Sequence, residues 1–161
     1  MALAIRRPER VAALVLTSSL GGIPVAEWVA RPGLPRRGQP VVGEHPAFSE
    51  VFCDQHPDDV FLFQQLSRWG RAPGEGAPAT AMAGMSEMTF DDDALQAIRC
   101  PVLFVSGDDD DIFPLEWIRL AAARVPGATV ETIERAGHSP YFEASLAWNR
   151  VVAAFLMANS S

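Results

Sequence analysis

Two stretches along the chain are apolar at consecutive positions, Val11-Ala12-Ala13-Leu14-Val15-Leu16 and Val102-Leu103-Phe104-Val105. A run with no polar side is the pattern of a strand buried on both faces of a parallel sheet. Gly21, Gly22 and Pro24 break the chain after the first run, and Pro101 precedes the second. A third strand-like run extends from Ala128 to Glu134. Between the second and third, Leu115, Ile118, Ala122 and Val125 form a helical stripe that opens after Pro114 and closes at Gly127. Ser139-Pro140 predicts the start of a final helix, since serine caps helices and proline is tolerated in their first turn. Phe142, Leu146, Val152, Phe155 and Leu156 give that helix an apolar side. Residues 2–7 read as a helix end closed by Pro8. Strand, helix, strand, helix in this order predicts an α/β fold with right-handed parallel crossovers.

Residues 25–90 interrupt the alternation and read as an insertion over the sheet, leaving residues 1–24 and 91–161 as the core. Pro32, Gly33, Pro35, Gly38 and Pro40 make its first half loop-like. Asp58-Asp59 precede Val60, Phe61, Phe63, Leu66 and Trp69, which predicts a helix with acids in its first turn, where the dipole favours them. Arg71 to Pro78 is a second Gly/Pro-rich joint. Met82, Met85 and Met88 suit one helical face, either packed on the core or lining a pliable apolar pocket. His45 and His56 lie beside prolines and read as surface residues. No internal repeat is present.

Composition narrows the function. A hydrophobic content of 48% over 161 residues supports one packed domain. The net charge of −7 argues against a nucleic-acid partner, which needs a basic face. Every basic side chain is arginine, so Schiff-base and Walker lysines are excluded. Cys53 and Cys100 stand far apart with no CxxC spacing, as expected of reduced thiols in a cytoplasmic protein without a zinc site. No cofactor or metal is implied. Arg6, Arg7 and Arg10 before the first apolar run superficially suggest a signal peptide, but Pro8, Glu9 and the shortness of the run argue against one. No run approaches the ~20 apolar residues of a membrane span, so the expectation is a soluble cytoplasmic protein.

The chemistry sits at two strand ends. Ser106-Gly107-Asp108-Asp109-Asp110-Asp111-Ile112-Phe113-Pro114 follows the second apolar run, and Ala136-Gly137-His138-Ser139-Pro140 follows the third. Ends of parallel strands project into the crevice at the sheet's carboxyl edge, so an acid and a histidine share one rim. A neutral imidazole there can take a proton from a hydroxyl and return it to a leaving group, provided a carboxylate holds its other N–H. The competing reading of His138 is a capping or surface histidine beside a turn. The acidic run lacks the alternating ligands and glycine of a calcium loop.

Together and in this order, these motifs resemble the α/β-hydrolase superfamily. Its Gly-x-x-Asp frame selects Gly107 and Asp110, with Pro114 opening the next helix, and its Gly-His step is Gly137-His138. Ala2 to Arg10 is similar to the last turns of the helix behind the nucleophile elbow and its exit loop; Val11 to Thr17 is similar to the sixth strand. The resemblance implies a partial α/β-hydrolase fold: a parallel sheet remnant of about three strands with helices, and residues 25–90 as a helical cap. It implies Asp110 as the acid and His138 as the base; Asp108, Asp109 and Asp111 are the lesser candidates, since the turn leaves some of them in water.

In this family the nucleophile precedes the acid in the chain. The first five strands, the oxyanion-hole loop and the Gly-x-Ser-x-Gly elbow are therefore expected before Met1. Gly84-Met85-Ser86-Glu87-Met88 lacks the second glycine and a preceding strand, and Ser18 and Ser19 end a strand without the sharp turn. The expectation is the C-terminal portion of a hydrolase of small apolar ester or carbonyl substrates, close to inert alone. Losing a triad nucleophile costs on the order of 10⁶-fold in turnover. The first strand is expected to present an apolar edge, which favours self-association or a complementary N-terminal half. The alternatives are a non-catalytic remnant that binds a partner or ligand through its cap, and one half of a split hydrolase.

Overall fold

The computed structural model describes residues 1–25, 45–69 and 89–159. Three parallel strands, β1 (Leu14–Thr17), β2 (Val102–Gly107) and β3 (Thr129–Ile133), lie side by side in that order. Leu14 pairs with Val102 and Leu103 with Thr129, so all three strands point their carboxyl ends to one rim. β2 lies between the other two and is buried along its whole length. Its alternating side chains feed two cores. Val102 and Phe104 join Ile118, Ala121, Ala122 and Val125 on one side; Leu103 and Val105 join Ile133, Trp148, Val151 and Phe155 on the other. Among the described residues, no strand pairs with the outer edge of β1.

β1 begins three residues later than the apolar run predicts. Ala2–Arg6 forms α1, and a 3-10 turn follows over Pro8–Arg10. The Val11 N–H donates to the Pro8 carbonyl at 3.3 Å, so Val11 to Ala13 serve the exit from this turn instead of the ladder. Apolar residues satisfy both roles equally, and periodicity does not separate them.

The described part of the intervening segment holds two helices, α2 (Glu50–Gln55) and α3 (Pro57–Trp69). The acidic start of α3 is as predicted, with Asp58 and Asp59 in its first turn. α2 went unread in the sequence. The Ser49 hydroxyl caps it, accepting from the Phe52 N–H at 3.2 Å. Phe48, Phe52, Cys53 and Val60 form a separate buried cluster, against which Phe63 and Phe142 pack. His45 is half-buried with its ring against this cluster, where the sequence reading had it on the surface. Its ring lies 5.3 Å from that of Phe48 and 5.1 Å from that of Phe63, and burial pushes its pKa below the usual imidazole range. His56 is exposed, as expected. The loop-like stretch at 32–40, the joint at 71–78 and the Met82, Met85 and Met88 face lie outside the described residues.

The C-terminal half follows the predicted alternation. α4 (Asp92–Gln96) is capped by the Asp91 side chain, which accepts from the Ala94 N–H at 2.9 Å. Asp91→Ala is expected to cost about 1 kcal/mol, the usual worth of such a cap, read as a lowered urea midpoint. α5 (Leu115–Ala122) follows β2. The final helix is split into α6 (Pro140–Glu143) and α7 (Ser145–Ala158), with Ala144 off helical geometry at φ −131° and ψ 51°. Ser139 makes no side-chain cap bond, contrary to the sequence reading. The N–H groups at this helix start are met from the other end of α6, by the carboxylate of Glu143.

Candidate functional site: an acid–histidine pair at the strand ends

The loop after β2 turns on Asp110. Its Oδ1 accepts the N–H groups of Ile112 and Phe113, each at 2.9 Å, closing a tight Asx-type turn before Pro114. This turn draws the Asp110 side chain inward to complete burial, while Asp108, Asp109 and Asp111 remain exposed. The loop after β3 runs through Arg135, held at φ 58°, and brings His138 over Asp110. The His138 Nδ1 lies 3.0 Å from Asp110 Oδ2 and 3.2 Å from Oδ1. An ionised carboxylate only accepts, so in a neutral imidazole Nδ1 carries the proton and Nε2 keeps its lone pair. The imidazole is about one quarter exposed, with the Phe113 ring 5.5 Å away. An Nδ1–H held by a carboxylate is what orients a general base, which works through the lone pair of Nε2.

The two loops are also stitched through their backbones. The Asp109 N–H donates to the Ala136 carbonyl at 3.0 Å, and the Arg135 N–H donates to Asp108 Oδ1 at 2.6 Å. Asp108 thus has a positioning contact that sequence reasoning did not assign it. A side chain at Gly107 would collide with the carbonyl oxygens of Ala136 and Gly137, so glycine is required for this approach. Glu143 was missed altogether. Its carboxylate accepts the N–H of Gly137 at 2.9 and 3.0 Å, of Ser139 at 3.3 Å and of Ser49 at 2.8 Å. Ser49 is distant from it in sequence, and no local signal points to such a contact.

Among the described residues, no hydroxyl is hydrogen-bonded to His138. Ser18, at the end of β1, is buried at φ 44°, and its Oγ has no hydrogen-bond partner among the described residues. Ser19 Oγ accepts from the Gly21 N–H at 3.1 Å within a turn. Among the described residues neither hydroxyl bonds to His138. Gly84-Met85-Ser86-Glu87-Met88 lies outside the described residues. Among the described residues, no three His, Cys, Asp or Glu side chains converge as a metal site would need. No described helix is long and apolar enough to cross a membrane.

Comparison with known proteins bears on the fold and the family. The chain is 30% identical over 168 residues to a rhodomycin D methylesterase of Streptomyces peucetius, covering 85% of this chain and 56% of that protein. Its fold superposes on a thermophilic esterase from Thermogutta terrifontis with a TM-score of 0.76 and 25% identity, over 99% of this chain and 61% of that one. A meta-cleavage product hydrolase from Pseudomonas fluorescens shares the fold at a TM-score of 0.66 and 18% identity, over 98% of this chain and 60% of that one. The chain therefore spans a little over half the length of these relatives. The sequence profile of the alpha/beta hydrolase family matches residues 1–154, and the chain belongs to that family.

Proposed function

We propose that this chain carries the acid, Asp110, and the base, His138, of a hydrolase that cleaves a small apolar ester or carbonyl substrate. The observation that carries the reading is the buried Asp110 carboxylate on His138 Nδ1, which leaves Nε2 free. The similarity to a methylesterase and an esterase supports an ester bond as the target. In this reading the nucleophile and the oxyanion-hole donors come from outside the described residues. Residues 1–24 and 91–161 form the core in this reading, and residues 25–90 a cap. Two contacts support that division. The Phe90 N–H donates to the Gly22 carbonyl at 3.0 Å, bringing the ends of the insertion together. Phe48 and Phe142 stack at 5.4 Å, seating the insertion beside the histidine loop.

The reaction follows from the pair. Nε2 takes the proton of the nucleophile's hydroxyl as its oxygen bonds to the substrate carbonyl carbon. Asp110 stabilises the resulting imidazolium. Nε2–H then gives the proton to the leaving alkoxide as the ester C–O bond breaks, and water repeats the cycle to release the acid. With no hydroxyl bonded to His138 among the described residues, the chain alone is expected to be inert. A fluorophosphonate probe tests this. The 161-residue chain alone should stay unlabelled. Mixed with a family N-terminal polypeptide bearing the elbow serine, only that polypeptide should be labelled, and more slowly with His138→Ala. Labelling of Ser18 or Ser19 would overturn the reading.

A second reading, a module that binds a partner instead of catalysing, is favoured by the outer edge of β1, which no strand covers among the described residues. It predicts tight association with no labelling of either chain.

A further inference from the structure

Glu143 is placed where two parts of the chain meet. Two of its three backbone donors, Gly137 and Ser139, are the immediate neighbours of His138. The third, Ser49, is the N-cap of α2 and lies 94 residues earlier. The preceding residue, Phe142, has its ring among Phe48, Phe52 and Phe63. Gly137 itself lies against the same segment: a methyl there would come within 2.6 Å of the Ser49 nitrogen and 2.7 Å of the Phe48 carbonyl carbon. One carboxylate therefore holds both sides of the histidine and the start of α2. Hydrogen bonds to an ionised acceptor are stronger than neutral ones, so loss of this carboxylate would be felt at both sides of the histidine.

We propose that Glu143 is a positioning residue for His138, and that its carboxylate makes the seating of residues 45–69 and the alignment of the imidazole on Asp110 a single event. The proposal rests on the reading of His138 as the base. Residues 135 and 136 are tied to the aspartate loop independently, through Asp108 and the Asp109 N–H. Gly137 and Ser139 have Glu143 as the acceptor for their N–H groups, so loss of the carboxylate frees the part of the loop that carries the imidazole. With the 45–69 segment displaced, Glu143 loses one donor and Gly137 loses its wall.

The test is nitrogen-15 NMR of the three imidazoles in the full chain, assigned with His138→Ala. The wild-type protein should show His138 protonated at Nδ1 and slow to exchange with solvent. Glu143→Gln keeps the volume but replaces one acceptor oxygen with a donor. The Nδ1–H exchange should then accelerate about tenfold or more, the scale of one hydrogen bond to a charged group. Wild-type exchange in Glu143→Gln, even with lowered urea stability, would mean a purely structural role and overturn the proposal. A second pair of variants leaves Glu143 in place. Ser49→Pro fits the native φ of −63° and removes the N–H that Glu143 accepts, together with the cap hydroxyl. Ser49→Ala removes the hydroxyl alone. Faster His138 exchange in Ser49→Pro than in Ser49→Ala supports the coupling; equal rates overturn it. A wild-type imidazole protonated at Nε2 would instead overturn the Asp110–His138 reading and this proposal with it.

Discussion

Asp110→Asn is expected to lower ester hydrolysis by the assembled enzyme about 10⁴-fold while the chain stays folded, the size of effect produced when a triad histidine is held in the wrong tautomer. The carboxylate has two jobs here. Oδ1 receives the Ile112 and Phe113 N–H groups, and the His138 Nδ1–H lies within reach of both oxygens. Asparagine retains one acceptor oxygen, which the turn occupies. Its NH₂ is then left facing Nδ1 and forces the proton to Nε2, where the base must be free. Asp110→Ala should add a fold defect, because it strands two backbone N–H groups at about 1–3 kcal/mol each. Comparing the two variants separates tautomer control from loop support: kcat falls in both, and the urea midpoint falls mainly in Asp110→Ala.

The second large effect is expected at Gly107. Gly107→Ala would place a methyl among the carbonyl oxygens of Ala136 and Gly137. Neither is the end of a flexible side chain, so the whole histidine loop has to move away from β2. The cost should reach or pass the upper end of the about 1–3 kcal/mol typical of overpacking. With a urea slope of about 1–3 kcal/mol per molar, the midpoint should drop by roughly 1 M or more. Activity of the assembled enzyme should vanish with it, since Ala136 and Gly137 lead directly to His138. Gly127→Ala is the control. Nothing lies within 4 Å of a methyl there, and only the backbone, at φ 67°, resists. That cost is about 1–2 kcal/mol, with activity unchanged.

These two sites also mark what was legible in the sequence. β2 was plain, because four consecutive apolar residues after a proline have no other comfortable place than mid-sheet. The pair Asp110 and His138 came from motif order, and the structure brings both side chains together. Among four consecutive aspartates, composition alone does not choose; the Asx-type turn does, by burying one and leaving the others in water. Less was legible where partners are remote. Glu143 meets Ser49 across most of the chain, and His45 owes its environment to Phe48 and Phe63. The Ser139 cap failed for the same reason: Glu143 supplies a better acceptor than the local hydroxyl. The start of β1 was misjudged because a turn exit and a buried strand accept the same apolar residues.

On the proposed function, Asp110 and His138 serve a nucleophile supplied from outside this chain. The most direct measurement is p-nitrophenyl butyrate hydrolysis by the 161-residue chain alone, by a family N-terminal polypeptide carrying the Gly-x-Ser-x-Gly elbow alone, and by the two mixed. The account predicts turnover only in the mixture, falling by on the order of 10⁶-fold with His138→Ala. Hydrolysis by the chain alone, or a folded and associated mixture whose activity survives His138→Ala, would contradict it.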